Sequence, residues 1–179
     1  MRAVNIIRNT VGAALLACAW VLAIYVFGAY GGPSWIAETF GRYLIPGWLL
    51  MIPLGLLHVL LALPGGAPWE RRLKRAMVMK LLLIPFFAAN FCMGFVGAIA
   101  FIFGGLMLTF PALITAWFAL IATSADIIIA LTAMRREGRL TTGAMAAHIL
   151  FQLIYSADVI DAIVLWLNRD RYVPAGPET

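Results

Sequence analysis

The chain has 179 residues, of which 64% are hydrophobic and only 12% are charged, and its mean hydropathy is +0.96. A soluble domain of this size cannot bury that much apolar surface in one core, so the composition excludes a soluble globular protein and indicates a membrane protein. The net charge of +5 comes from short basic runs between apolar segments, a pattern typical of membrane topology and contact with anionic lipids, not of nucleic-acid binding.

Two membrane-spanning helices are predicted before the first charged run. A helix needs about 20 mainly apolar residues to cross a bilayer, and residues 10–30 and 43–63 each provide them. Pro46, Pro53 and Pro64 predict that the second of these helices is kinked or interrupted.

The next apolar run is predicted to hold two more spans. It follows a charged boundary at residues 70–75 and is too long for one helix. Gly104, Gly105 and Pro111 lie near its middle and predict a hairpin, because glycine and proline interrupt helices. Small residues repeat along one face of each half, which predicts that the two spans pack closely. The resulting spans cover residues 77–103 and 106–134.

A fifth span, predicted over residues 142–167, completes an all-α bundle that forms a single transmembrane domain over residues 1–179. With the N-terminus in the cytoplasm, ten basic residues fall on the cytoplasmic side and three on the outer side, as the positive-inside rule requires. The three outer residues are Arg42, Arg169 and Arg171. This topology puts the C-terminus outside, so reporters fused at Glu137 and Asp170 are expected in opposite compartments.

Polar side chains at membrane depth mark the candidate functional site. Ionisable groups inside a bilayer are rare and costly, so they indicate sites for ions or protons. A rise of about 1.5 Å per residue places Asp126 about 13 Å above the cytoplasmic boundary and Asp158 about 24 Å into the fifth span. On a continuous helix His148, Gln152 and Tyr155 share one face, from which the later aspartates turn away. The candidate ion- or proton-binding residues are Asp126, Asp158, Asp161, His148, Tyr155, Gln152 and Asn90.

These residues favour a non-enzymatic transporter or channel linked to protons or cations. Carboxylates in low dielectric exchange protons near neutral pH, and Asp158 and Asp161, one turn apart, are hard to ionise together without a bound cation. Asp126→Asn and Asp158→Asn are then expected to keep stability and abolish flux. The alternative is an accessory or assembly subunit of a larger complex, in which the same groups only join helices. Five helices enclose little space, so a homo-oligomer or larger membrane complex is expected.

Two further sets of residues suggest binding partners. His58 and His148 fall at similar depths, so they could ligate one haem b axially, and a single-haem membrane cytochrome is a third hypothesis. The basic residues Arg71, Arg72, Lys74 and Arg75 are predicted to bind anionic lipid headgroups. The chain carries no motif for phosphate binding, zinc proteolysis or serine hydrolysis, so neither an enzymatic activity nor a metal site is predicted.

The C-terminal third carries a resemblance to a known family. Residues 135–139 read Arg-Arg-Glu-Gly-Arg, His148 follows, and residues 158–164 read Asp-Val-Ile-Asp-Ala-Ile-Val. This arrangement resembles a family of small polytopic bacterial membrane proteins of unknown function. The resemblance implies a multi-pass protein of the bacterial cytoplasmic membrane and implies nothing about activity.

Overall fold

The computed structural model describes residues 2–31, 33–63, 67–100 and 106–172, and the regular elements within these ranges are all helical. The long helices are α1 (Arg2–Gly31), α3 (Leu44–Ala62), α4 (Trp69–Ile99) and α5 (Leu106–Arg136). The short ones are α2 (Ser34–Gly41), α6 (Thr142–Gln152) and α7 (Ala157–Leu167), followed by a 3-10 turn at Arg169–Tyr172.

The four long helices α1, α3, α4 and α5 are long and apolar enough to cross a membrane. In their bundle, α4 and α5 share the most extensive contact, while α1 packs against both α3 and α4. Leu15, Met51, Leu83 and Leu120 are buried at its centre. Apolar side chains such as Leu60 face outward, as expected where the surrounding solvent is lipid. The predicted all-α bundle is confirmed for the described residues, and four of its helices could span a membrane.

The charged run before the third predicted span belongs to the bundle. Helix α4 begins at Trp69, so residues 70–75, predicted as a boundary outside the bilayer, form the first turns of a 31-residue helix. Successive residues of a helix point in different directions, and here Arg72 is buried while Arg71 and Lys74 are exposed. The charged run therefore places Arg71 and Lys74 on the surface and Arg72 in the interior of the bundle.

Proline lies inside three of the long helices without ending them. Pro53 lies in α3, Pro85 in α4 and Pro111 in α5. Neighbouring helices and local adjustments satisfy the backbone groups that proline leaves free in membrane helices. The predicted interruptions at Pro64 and at residues 104–105 fall outside the described residues.

One close helix contact depends on a glycine in α3. A Cβ atom at Gly55 would lie 3.3 Å from the backbone oxygen of Phe118 in α5. Because that oxygen belongs to a helix backbone, it cannot turn aside as a side chain could, and a larger residue has little room. Gly94 of α4, one of the small residues on the face that predicts close packing of the third and fourth spans, has nothing within 4 Å of its Cβ position. Of these two glycines, Gly55 is therefore the one that a close helix approach requires.

The fifth predicted span is not one helix. The segment over residues 142–167 is divided into α6 and α7, and Ser156 between them has a φ of 70°, uncommon for a residue with a side chain. His148 in α6 lies 2.6 Å from Asp161 in α7, measured from Nδ1 to Oδ1. Thirteen residues of straight helix would separate these positions by about 20 Å. The chain therefore turns back on itself between α6 and α7.

The end of this α6–α7 hairpin (residues 142–167) returns to the place where it began. Arg139, in the loop before α6, donates a hydrogen bond of 2.9 Å to the backbone oxygen of Tyr172, beyond α7. Leu140 and Tyr172 also belong to one apolar cluster with Leu165. The prediction of one continuous helix over residues 142–167 is wrong, because the segment folds into α6 and α7 and its two ends lie together.

Candidate functional site

Ionisable and polar side chains gather in two places inside the bundle. The first, which we call the arginine cluster, lies among α1, α3, α4 and α5. It consists of Arg8, His58, Arg72, Arg75 and Asp126. The second, which we call the polar chain, joins α4 and α5 to the α6–α7 hairpin. It consists of Lys80, Ser124, His148, Gln152, Asp158 and Asp161.

Asp126 is the central acid of the arginine cluster. Arg8 donates to its Oδ2 from α1, and Nη1 of Arg72 in α4 lies 3.2 Å from its Oδ1. All three side chains are buried. A charge out of contact with water is costly unless it is paired and hydrogen-bonded, so two guanidinium groups explain how this carboxylate is held inside the bundle.

Arg72 also links this cluster to the connection between α3 and α4. Its Nη1 donates to the oxygen of Ala62 at 3.0 Å, and its Nε donates to the oxygen of Ala67 at 3.2 Å. Ala62 is the last residue of α3, where helix carbonyls have no partner within the helix and carry partial negative charge. Arg72 therefore fixes the end of α3 relative to Asp126.

His58 and Arg75 complete the arginine cluster. His58 is buried in α3, and Arg75 is half-buried in α4. The charges of Arg8, Arg75 and Asp126 all act on His58 electrostatically. Gly12 of α1 faces the imidazole, and a Cβ atom there would lie 3.2 Å from Cε1 of His58. The imidazole ring of His58 in α3 therefore lies in close contact with α1.

The polar chain begins at an ion pair between α4 and α7. The ammonium of Lys80 donates to Oδ2 of Asp158 and, at 3.0 Å, to Oγ of Ser124. These three side chains are fully or almost fully buried. Ser124 in turn donates to Gln152, whose backbone oxygen lies at 3.2 Å and whose Oε1 lies at 3.3 Å. One lysine therefore joins α4, α5 and the hairpin.

The chain ends at a carboxylate with partners on both oxygens. Nε2 of Gln152 donates to Oδ2 of Asp161, and Nδ1 of His148 lies 2.6 Å from Oδ1. Asp161 is buried, whereas the His148 side chain is 18% exposed. An unbroken series of hydrogen bonds thus runs from the buried Lys80–Asp158 pair to a histidine that reaches the surface.

The turn in the α6–α7 hairpin is what assembles the polar chain. It brings the end of α6, where Gln152 lies, against the second turn of α7, where Asp161 lies. The expectation that Asp161 turns away from His148 and Gln152 is wrong, because it assumed a straight helix. Asp158, one turn earlier, faces α4 instead and meets Lys80. The two aspartates therefore have separate partners.

Tyr155 and Asn90 lie apart from both groups. The Tyr155 hydroxyl donates to the backbone oxygen of Phe87, and Asn90 donates to the oxygen of Phe86 at 2.9 Å. Both residues line a cavity of about 310 Å³ between α4 and α5, whose other walls are mostly apolar. Thr115 donates to Asn90 at 3.5 Å. The seven candidate residues thus occupy three places in the bundle.

A known protein family matches the part of the sequence that holds the polar chain. The model of a family of unknown function, DUF6652, matches residues 66–171. The chain belongs to this family. No curated protein and no solved structure matches. The matched range holds all six residues of the polar chain, whereas Arg8 and His58 of the arginine cluster lie before it.

Six residues of the two groups are not among the predicted ion- or proton-binding residues. The sequence counts Arg8 and Lys80 only as basic residues of the cytoplasmic side, assigns Arg72 and Arg75 to lipid headgroups and His58 to a haem, and gives Ser124 no role. Lys80 carried a usable signal, since it lies inside the span predicted over residues 77–103. A charge within a span needs a partner, and Asp126 and Asp158 needed partners as well.

The four predicted headgroup residues have different surroundings. Arg71 and Lys74 are exposed on the first turns of α4. Arg72 is buried against Asp126 because the helix turns its side chain inward, and it is therefore not a surface anchor. Arg75 is half-buried. Only part of the basic run is placed to meet a membrane surface.

The two histidines of the haem hypothesis lie in different groups. His58 belongs to the arginine cluster, while His148 uses Nδ1 to bond Asp161 at the end of the polar chain. The chief packing partners of α3 are α1 and α5, and those of α6 are α7 and α5. Axial ligation of one haem requires both imidazoles to face a shared space. The hypothesis stays a prediction, and a Soret band in the purified protein would test it.

Proposed function

We propose that this protein is a proton-linked membrane transporter in which the polar chain binds and releases the proton. One observation carries the proposal. Asp161 bonds His148 on one carboxylate oxygen and Gln152 on the other, and the same hydrogen-bond series continues to the buried Lys80–Asp158 pair.

The chemistry of these groups suits proton exchange. Histidine changes charge near neutral pH, and chains of aspartate and histidine in membrane proteins are typical of proton relays. His148 is the partly exposed member of the Asp161 pair, so it is the group that exchanges protons with the surroundings. The bond between Nδ1 of His148 and Oδ1 of Asp161 can form with a neutral or a protonated imidazole, and it is an ion pair only when the imidazole is protonated.

The proton is favoured over a metal cation by the partners that the carboxylates already have. Asp126 lies between two guanidinium groups, and Asp158 accepts from the ammonium of Lys80. A bound cation at either carboxylate would have to displace or oppose a fixed positive charge. Within the described ranges, no three His, Cys, Asp or Glu side chains are grouped closely enough to hold a metal ion.

The proposal includes an orientation in the bacterial cytoplasmic membrane. In this orientation the protein has four spans and a cytoplasmic N-terminus. The α6–α7 hairpin enters and leaves from the cytoplasmic side, so both chain ends lie inside. Arg42 is then the single basic residue of the sequence on the outer side, which fits the positive-inside rule better than five spans do. The exposed Arg71 and Lys74 would then contact anionic headgroups of the inner leaflet.

The test is proton movement in proteoliposomes with an imposed pH gradient. We expect the wild-type protein to dissipate the gradient faster than empty liposomes, and Asp161→Asn to remove most of that difference. Asp170→Asn is the matched control, because Asp170 is an exposed aspartate outside the polar chain. Flux equal to that of empty liposomes in the wild type would instead favour the accessory-subunit hypothesis.

A further inference from the structure

We propose that the arginine cluster is a binding site for an oxyanion, a phosphate or carboxylate group held by Arg8, His58 and Arg75. This inference does not rest on the proposed proton linkage, because none of these residues belongs to the polar chain. It assigns a ligand class to a part of the bundle that the proton-linked function leaves unused.

Arg75 is the cation of the cluster that has no carboxylate bonded to it among the described residues. Asp126 is already bonded by Arg8 and Arg72, and it acts on Arg75 only electrostatically. Buried charges in proteins are normally paired, because an unpaired one loses its hydration without compensation. A negatively charged group beside Arg75 would therefore be favourable.

The cluster also holds hydrogen-bond donors without acceptors. Arg8 is 0% exposed, and its Nε and Nη1 have no partner. His58 is 2% exposed, and neither ring nitrogen has a partner. Nη1 of Arg75 is buried and unpartnered as well. Buried polar atoms nearly always have partners, so a set of adjacent donors in this state indicates an acceptor that belongs to a ligand.

The kinds of donor in this set suit an oxyanion. A guanidinium group presents several N–H donors in one plane, which fits the two oxygens of a carboxylate or phosphate. A neutral imidazole adds one donor without adding charge. Arg75 is half-buried and lies one turn from the exposed Arg71, so the ligand would approach from the charged end of α4.

Two sources supply this chemistry, the headgroup of an anionic lipid and a free oxyanion in solution. The experiment separates them with protein purified in a neutral detergent and stripped of lipid. Thermal unfolding is followed by tryptophan fluorescence during titration with sodium phosphate, with sodium chloride at equal ionic strength as the reference. A second titration adds phosphatidylglycerol, with phosphatidylcholine as the reference.

The variants are Arg75→Gln and His58→Leu, with Arg71→Gln as the matched control. Arg71→Gln removes the same charge from the same helix at an exposed position. A ligand that binds only the folded state raises the unfolding temperature in proportion to its occupancy. Loss of a charge-assisted hydrogen bond should weaken the apparent affinity about tenfold or more in Arg75→Gln and His58→Leu. Arg71→Gln should keep the wild-type affinity.

Each outcome decides the proposal. Stabilisation by phosphate, lost in both cluster variants, assigns the site to a free oxyanion. Stabilisation by phosphatidylglycerol alone, lost in the same variants, assigns it to a lipid headgroup. No stabilisation of the wild type by either compound, or an equal loss in Arg71→Gln, would overturn the proposal.

Discussion

The buried pair of Lys80 and Asp158 gives the sharpest prediction about stability. Lys80→Met replaces the ammonium by an apolar group of similar length and leaves Asp158 buried with its cation removed. Both side chains are almost completely excluded from solvent. Removing one partner of a buried ion pair costs about 3–5 kcal/mol, because the remaining charge has lost both water and partner. Lys80→Met should therefore unfold far more easily than the wild type.

The assay is equilibrium unfolding in mixed detergent micelles, and the design is a double-mutant cycle. Lys80→Met combined with Asp158→Leu should recover much of the loss, because neither charge then stays buried alone. Lys74→Met is the control, since Lys74 is exposed on the same helix and its loss should change stability by less than about 0.5 kcal/mol. A single Lys80→Met variant as stable as Lys74→Met would refute the reasoning.

Three further predictions concern topology, the arginine cluster and helix packing. Reporters fused at Glu137 and Asp170 should report the same compartment, whereas reports of opposite compartments would support the five-span topology. Asp126→Asn should lower stability by about 3–5 kcal/mol in the same unfolding assay, because two buried guanidinium groups lose their carboxylate; unchanged stability would contradict this pairing. Gly55→Leu should lower the unfolding temperature strongly while Gly94→Leu is tolerated, and equal effects would contradict the close contact of α3 with α5.

The four long helices could be predicted from the sequence because their signal is local. Apolar length and the charged residues between segments are sufficient to detect a span. The turn between α6 and α7 has no such signal, because Leu153, Ile154, Tyr155 and Ser156 include neither glycine nor proline. The turn depends on contacts made elsewhere in the bundle, such as the bond from Tyr155 to Phe87.

The acids of the site could be predicted, but their partners could not. Asp126 and Asp158 stand out as carboxylates in apolar surroundings. Arg72 lies in the first turn of α4, where its charge serves equally well outside the bilayer, whereas Lys80 lies inside the predicted span but nothing local shows which acid it meets. These side chains point inward because of how α4 is oriented in the bundle, which the sequence alone does not reveal. The consequence is that Asp126→Asn, first expected to keep stability, should now reduce it.

The most direct test of the proton-linked function interrupts the polar chain without changing any charge. Ser124→Ala removes the hydroxyl that joins Lys80 to Gln152. Thr123→Ala is the matched control, because the Thr123 hydroxyl is equally buried but, among the described residues, bonds only the backbone oxygens of its own helix. In proteoliposomes with an imposed pH gradient, Ser124→Ala should reduce proton flux about tenfold or more, while Thr123→Ala keeps it. Equal flux in the two variants would contradict a proton-linked role for the chain.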